Sequence, residues 1–166
     1  VYDLQLRNWF FVETFFDAAS LAYLMEQCQN LKALTFEHIA LDEDHFRVLG
    51  AFSKPGLEIE VKRCHIAGAA AEALVEVLGH NQGPTKLTLC TIDNFVLADG
   101  LCGNSHLKSL SLPISSSSED GNPEILAIAA ALKENKGLVD LDLRLDVSVS
   151  NETWDAVCDS FKSHPT

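Results

Sequence analysis

The 166 residues, 47% of them hydrophobic and 22% charged, fit one ordinary folded domain rather than a disordered chain. A formal charge of −12, from 24 acidic and 12 basic residues, sets the surface against phosphate backbones and excludes general nucleic-acid binding and adhesion to anionic membranes. No apolar run approaches the ~18–20 residues that span a bilayer.

In chain order, the first element is a strand in the pattern Val1-x-x-Leu4-x-Leu6-x-x-Trp9-x-Phe11. It opens at once, without an initiator Met, a basic stretch or an apolar targeting run, which reads as a piece of a longer chain. Trp9, Phe10, Phe11, Phe15 and Phe16 crowd rings into eight residues. They are read first as filling between neighbouring units. The alternative is an apolar interface of Trp9, Phe10, Phe15 and Phe16 that binds a partner or a second copy. Phe15, Phe16, Ala19, Tyr23 and Leu24 then recur at helical spacing.

A second strand follows in Leu31-x-x-Leu34-x-Phe36-x-x-Ile39-x-Leu41, and Asp42 is placed to cap a helix running through Phe46 to Phe52. Ile59-x-Val61-x-x-Cys64-x-Ile66 is the third strand, and Ala70, Ala73, Leu74, Val77 and Leu78 make the apolar stripe of the next helix. The fourth strand, Leu87-x-Leu89-x-x-Ile92, is the weakest, because the unit beginning near Pro84 lacks its first apolar residue. Leu107-x-x-Leu110-x-Leu112 is the fifth. Ser115 to Gly121 is then a loop, with a lesser reading of its serines as phosphate acceptors. Asn122-Pro123-Glu124 caps and starts a helix over Ile125 to Leu132, and Leu138-x-x-Leu141-x-Leu143-x-x-Asp146 is the sixth strand.

One template, L-x-x-L-x-L-x-x-(N/C)-x-L, therefore fits six times, with its fourth position at residues 4, 34, 59, 87, 110 and 141, about 27 residues apart. The pattern resembles the leucine-rich-repeat family, and the long strand-helix units look like its ribonuclease-inhibitor-like subtype; Asn135 to Leu143 and Asn30 to Leu34 read like its strand starts. The resemblance implies an α/β solenoid, a curved horseshoe arc of about six repeats forming a single domain over 1–166, with parallel strands on the concave face and helices on the convex one. The sequence departs from the family at the ninth position, where the buried Asn or Cys survives only as Cys64, so the resemblance does not carry over an Asn ladder. The competing architecture is a doubly wound parallel sheet of flavodoxin type.

Template positions 2, 3, 5, 7 and 8 are read as the open face of the sheet. They hold seven bases and six acids, against five bases and 18 acids elsewhere. A sign-mixed, slightly basic face on an acidic body suits docking of a charged protein segment, and it also suits plain solubility of an exposed sheet. The residues selected as partner-binding are Lys32, Thr35, Glu37, Glu60, Lys62, Arg63, Lys86, Thr88, Lys108, Ser111, Asp142 and Arg144.

No chemistry emerges beside this face. The six histidines show neither H-E-x-x-H spacing nor a C-x-x-C companion, and Cys64 and His65, as strand neighbours, would point apart. Gly79 to Lys86 has the wrong spacing for a phosphate loop, with Leu87 where Ser or Thr would bind Mg²⁺. Glu58 and Glu60 share a strand face but lack the desolvation that tunes a carboxylic acid. The sequon Asn151-Glu152-Thr153 is read as chance, and five well-separated cysteines point to free thiols in a reducing, cytoplasmic setting. The expectation is a non-catalytic module, with no cofactor and no metal, that binds a protein through its concave face. The alternative is an assembly or autoinhibitory segment acting through its aromatic N-terminal end or its convex helices.

Overall fold

The computed structural model describes residues 2–7, 16–64, 66, 68–90, 92, 94–114, 122–145 and 148–163. Strand and helix alternate without exception across these residues: β1 (Tyr2–Arg7), α1 (Ala18–Gln27), β2 (Leu31–Glu37), α2 (Glu43–Ala51), β3 (Glu58–Lys62), α3 (Ala69–Gly79), β4 (Lys86–Thr88), α4 (Asn94–Leu101), β5 (Ser109–Ile114), α5 (Asn122–Glu134), β6 (Asp140–Leu145) and α6 (Asn151–Ser163). The six strands form one parallel sheet in the order β1-β2-β3-β4-β5-β6, and the helices stack in the same sequence. A doubly wound sheet reverses its strand order at a switch point; this one does not.

Register confirms the period. Leu4 pairs with Leu34, Leu34 with Ile59, Ile59 with Leu87, Leu87 with Leu110 and Leu110 with Leu141, so the fourth template positions make one row across all six strands. Because side chains alternate along a strand, this row and the sixth positions point to one side. Leu34, Phe36, Ile59, Val61, Leu87, Leu89, Leu110 and Leu112 are buried there in one apolar cluster with Phe46, Leu74, Leu78, Leu101, Ile128 and Leu132 of the helices. Glu58, Lys86, Asp140 and Asp142, on the other side, are exposed. The sheet is therefore covered on one face and open on the other.

Four local expectations change. In α1 the buried residues are Leu21 and Met25, whereas Tyr23 is exposed; the helix begins at Ala18, capped by Asp17, and Phe16 lies ahead of it, so the expected stripe had the wrong phase. Leu57, expected on the open face, is fully buried, while Gly56 at the template's first position is exposed in a turn with positive φ, so the buried start of this unit falls one residue later than the template places it. Pro84 is buried and supplies the apolar start that unit four was thought to lack. Ile114 was also expected on the open face; β5 runs one residue past the end of β2 and β3, and alternation turns Ile114 inward. In β2 and β3 that same position is His38 or Arg63, each with positive φ, where the chain leaves the sheet.

Buried asparagines support the strand starts, at the end opposite to the family's ninth position. Asn104 donates to the Leu78 carbonyl and accepts from the backbone N–H of His106 and Leu107; Asn135 donates to the Leu101 carbonyl and accepts from Gly137 and Leu138. Each side chain ties one helix-to-strand turn to the preceding unit. Among the described residues, no helix is long and apolar enough to cross a membrane.

Candidate functional site

The open face is built from three rows that cross the strands. The first holds Asp3, Ala33, Glu58, Lys86, Ser109 and Asp140. The second holds Gln5, Thr35, Glu60, Thr88, Ser111 and Asp142, and the third holds Arg7, Glu37 and Lys62, resuming at Pro113 and Arg144 beyond the short β4. By formal charge the rows carry −2, −2 and +2. The face is thus acidic where the strands begin and basic where they end, with a net charge of −2.

This corrects the slightly basic face expected from the sequence. Lys32, Lys108 and Arg63 account for the difference. Lys32 sits at a register shift where β1 meets β2, and Lys108 precedes β5 and donates to the Ser105 carbonyl at 2.9 Å. Arg63 lies past the end of β3 at the rim, 70% exposed. All three are exposed, but they border the rows rather than belong to them.

Most charges on the face are met by a neighbour. Lys86 pairs with Glu58 at 3.3 Å, Lys62 with Glu60 at 2.9 Å, and Arg63 with Glu37 at 3.2 Å. Ser109 donates to Asp140 at 2.9 Å and Ser111 to Asp142 at 2.7 Å, while Arg144 reaches back over β5 to the Leu89 carbonyl. Exposed pairs of this kind contribute little to stability, about 0–1 kcal/mol each. What they do is hold long side chains in a fixed pattern. Between Asp3, Thr35, Glu58, Glu60, Lys86 and Thr88 lies a depression of about 200 Å³. Thr35 forms part of its floor: it is only 5% exposed and donates to Glu60 at 3.3 Å, so it shapes the surface more than it presents one.

Cys64 follows β3 rather than lying within it, so the expectation that strand alternation separates it from His65 does not apply; His65 is outside the described residues. The Cys64 thiol donates to the Lys62 carbonyl at 3.1 Å, and the Cys90 thiol donates to the Cys64 carbonyl. Burial pushes the Cys64 thiol above its usual range, which makes it a structural hydrogen-bond donor and a poor nucleophile. Among the described residues no three His, Cys, Asp or Glu side chains converge as a metal set.

Of the predicted apolar interface, Trp9, Phe10 and Phe15 lie outside the described residues, as does the serine loop. Phe16 packs inward, with its ring centroid 6.4 Å from Phe36 and 6.1 Å from His45, whose Nε2 is 2.7 Å from the Phe16 carbonyl. No known protein family matches the chain, and no curated protein is similar to it in sequence.

Proposed function

We propose that this chain is a leucine-rich-repeat solenoid of the ribonuclease-inhibitor-like kind. In this reading the open sheet face is the concave side of the arc and binds a protein partner without catalysing a reaction. The observation that carries the reading is the row structure: six copies of one template place their fourth positions in a single apolar row, buried in the four inner strands and half-buried in the two outer ones, and leave three polar rows uncovered. A surface of mutually paired side chains on a rigid sheet needs less ordering when a partner docks, which favours affinity. Its split charge gives a direction, with bases on the partner meeting the acidic rows and acids meeting Lys62, Arg63 and Arg144. A cytoplasmic setting fits the odd number of scattered cysteines.

The test is affinity capture, identification of what is retained, and titration of that protein against a Lys62→Glu, Arg63→Glu, Lys86→Glu variant. Each reversal turns an ion pair on the face into a like-charge pair. The expected result is at least a roughly tenfold loss of affinity with unchanged circular dichroism. Unchanged affinity in the folded variant refutes the reading.

A further inference from the structure

Pro113 interrupts the parallel ladder inside the sheet. It lies in β5 between two paired strands, and its nitrogen faces β4, as the Ser111 carbonyl two residues earlier does. Leu89 donates its N–H to that Ser111 carbonyl at 2.9 Å, and in an evenly spaced parallel ladder the next bond runs from the N–H of residue 113 to the Leu89 carbonyl. Proline has no N–H to give. Regular pairing of β4 with β5 accordingly ends at Thr88 and Ser111, whereas β5 and β6 stay paired through Ile114 and Leu145. Leu89 is fully buried, so its carbonyl needs a donor from elsewhere.

Arg144 is that donor. From β6 its side chain crosses Pro113, its register partner on β5, and Nη2 donates to the Leu89 carbonyl at 2.9 Å. The guanidinium is thereby held away from its own strand and from Asp142, which accepts instead from the Ser111 hydroxyl at 2.7 Å. The neighbouring cations are already matched: Lys62 pairs with Glu60, Lys86 with Glu58 and Arg63 with Glu37. Among the described residues, no carboxylate lies within ion-pair distance of Arg144. A guanidinium has five donors in a planar fork, so with one N–H on Leu89 a parallel pair stays free for two carboxylate oxygens.

We infer, resting on the docking reading proposed above, that Arg144 is a preset carboxylate anchor: a partner on the open face sets an acidic side chain on the guanidinium that the gap at Pro113 holds in place. Lys62 and Arg63 would first have to release the acids they pair with, and Arg144 releases none. A guanidinium already ordered by the fold also loses less freedom on binding than a loose one.

Three measurements test this. Urea unfolding reads the anchor without a ligand. Arg144→Met keeps the reach and removes the donors, and is expected to lower the folding equilibrium constant about tenfold. In a Pro113→Ala background the alanine N–H closes the ladder, so there the same change is expected to cost less than about twofold; equal losses in both backgrounds would overturn the anchor. The ligand chemistry is read with sodium acetate as the probe, against sodium chloride at equal ionic strength, through the ¹⁵N–¹H signal of the Arg144 Nε. Acetate is expected to shift that signal and to leave Arg47, already held by Glu43 and Asp44, in place. No shift at Arg144, or one that chloride matches, would overturn the inference. With the captured protein, Arg144→Lys keeps the charge but loses the fork, and is expected to weaken binding about tenfold. If the Lys62, Arg63, Lys86 reversal weakened binding and Arg144→Lys did not, the anchor would fall and the docking reading would stand; if neither changed the affinity, both would fall.

Discussion

Replacing Asn135 by Ala tests the idea that the strand starts hang from buried amides rather than from the strands alone. Asn135 is fully buried, and its carbonyl oxygen accepts from the backbone N–H of Gly137 at 2.9 Å and of Leu138 at 2.8 Å, both themselves buried. Alanine leaves those two donors without a partner. The amide nitrogen donates to the Leu101 carbonyl at 2.8 Å, but that carbonyl also accepts from the Asn104 N–H and so stays satisfied. Stranding a buried donor costs about 1–3 kcal/mol, so the two together predict a loss of about 4 kcal/mol. For a domain of this length each kcal/mol lowers Tm by about 2–4 °C, giving a fall of about 8–16 °C. Urea unfolding followed by circular dichroism reads the free energy, and a thermal melt reads the shift. Asn81→Gly is the control: Asn81 accepts from the Ser105 N–H and hydroxyl at an exposed site, and glycine tolerates its positive φ, so its loss should stay under about 1 kcal/mol. If Asn135→Ala also lost less than about 1 kcal/mol, the reasoning would be refuted.

Two further outcomes follow from local geometry. A Cβ on Gly137 would lie 2.5 Å from the Ser105 carbonyl carbon and 2.7 Å from its Cα, all backbone, so Gly137→Ala is expected to cost about 2–3 kcal/mol in urea unfolding, and an unchanged midpoint would contradict the packing. Asp42 caps α2 by accepting from the N–H groups of Asp44 and His45, so Asp42→Ala is expected to cost about 1 kcal/mol near neutral pH. Its carboxyl titrates below the ordinary 3.8: burial pushes it up, but hydrogen bonds from the His45 side chain and the backbone outweigh that. A depressed folded value means that the contribution is complete above the ordinary pKa and is lost as pH falls through the folded one. Stability curves of wild type and Asp42→Ala should therefore converge in acid, and a gap that widened there would contradict the assignment.

The strand rows were legible because the chain repeats one apolar spacing, and a parallel sheet with equal registers needs only that spacing to align residues 4, 34, 59, 87, 110 and 141. The stripe of α3 and the cap at Asp42 were legible for the same reason, being set within a few residues of sequence. Asn104 and Asn135 were missed as structural residues. Their signal, Asn followed three residues later by the leucine that opens the unit, lies just outside the repeat template. The charge of the open face was misjudged because template position does not say whether a side chain projects from the sheet or lies at its rim; Lys32, Lys108 and Arg63 needed the register shift, the start of β5 at Ser109 and the turn after β3 to be placed. Leu57 was misplaced because Gly56, at the template's first position, is exposed in a turn with positive φ, which moves the buried start of the unit one residue along.

Carboxyl footprinting of the chain with and without its captured partner tests the central claim most directly. The account predicts that Glu58, Glu60, Asp140 and Asp142 lose reactivity in the complex while the exposed helix carboxylates Glu72, Glu76 and Asp155 keep theirs. Protection of the helix set with the sheet set unchanged would place the partner on the opposite side of the molecule and contradict it.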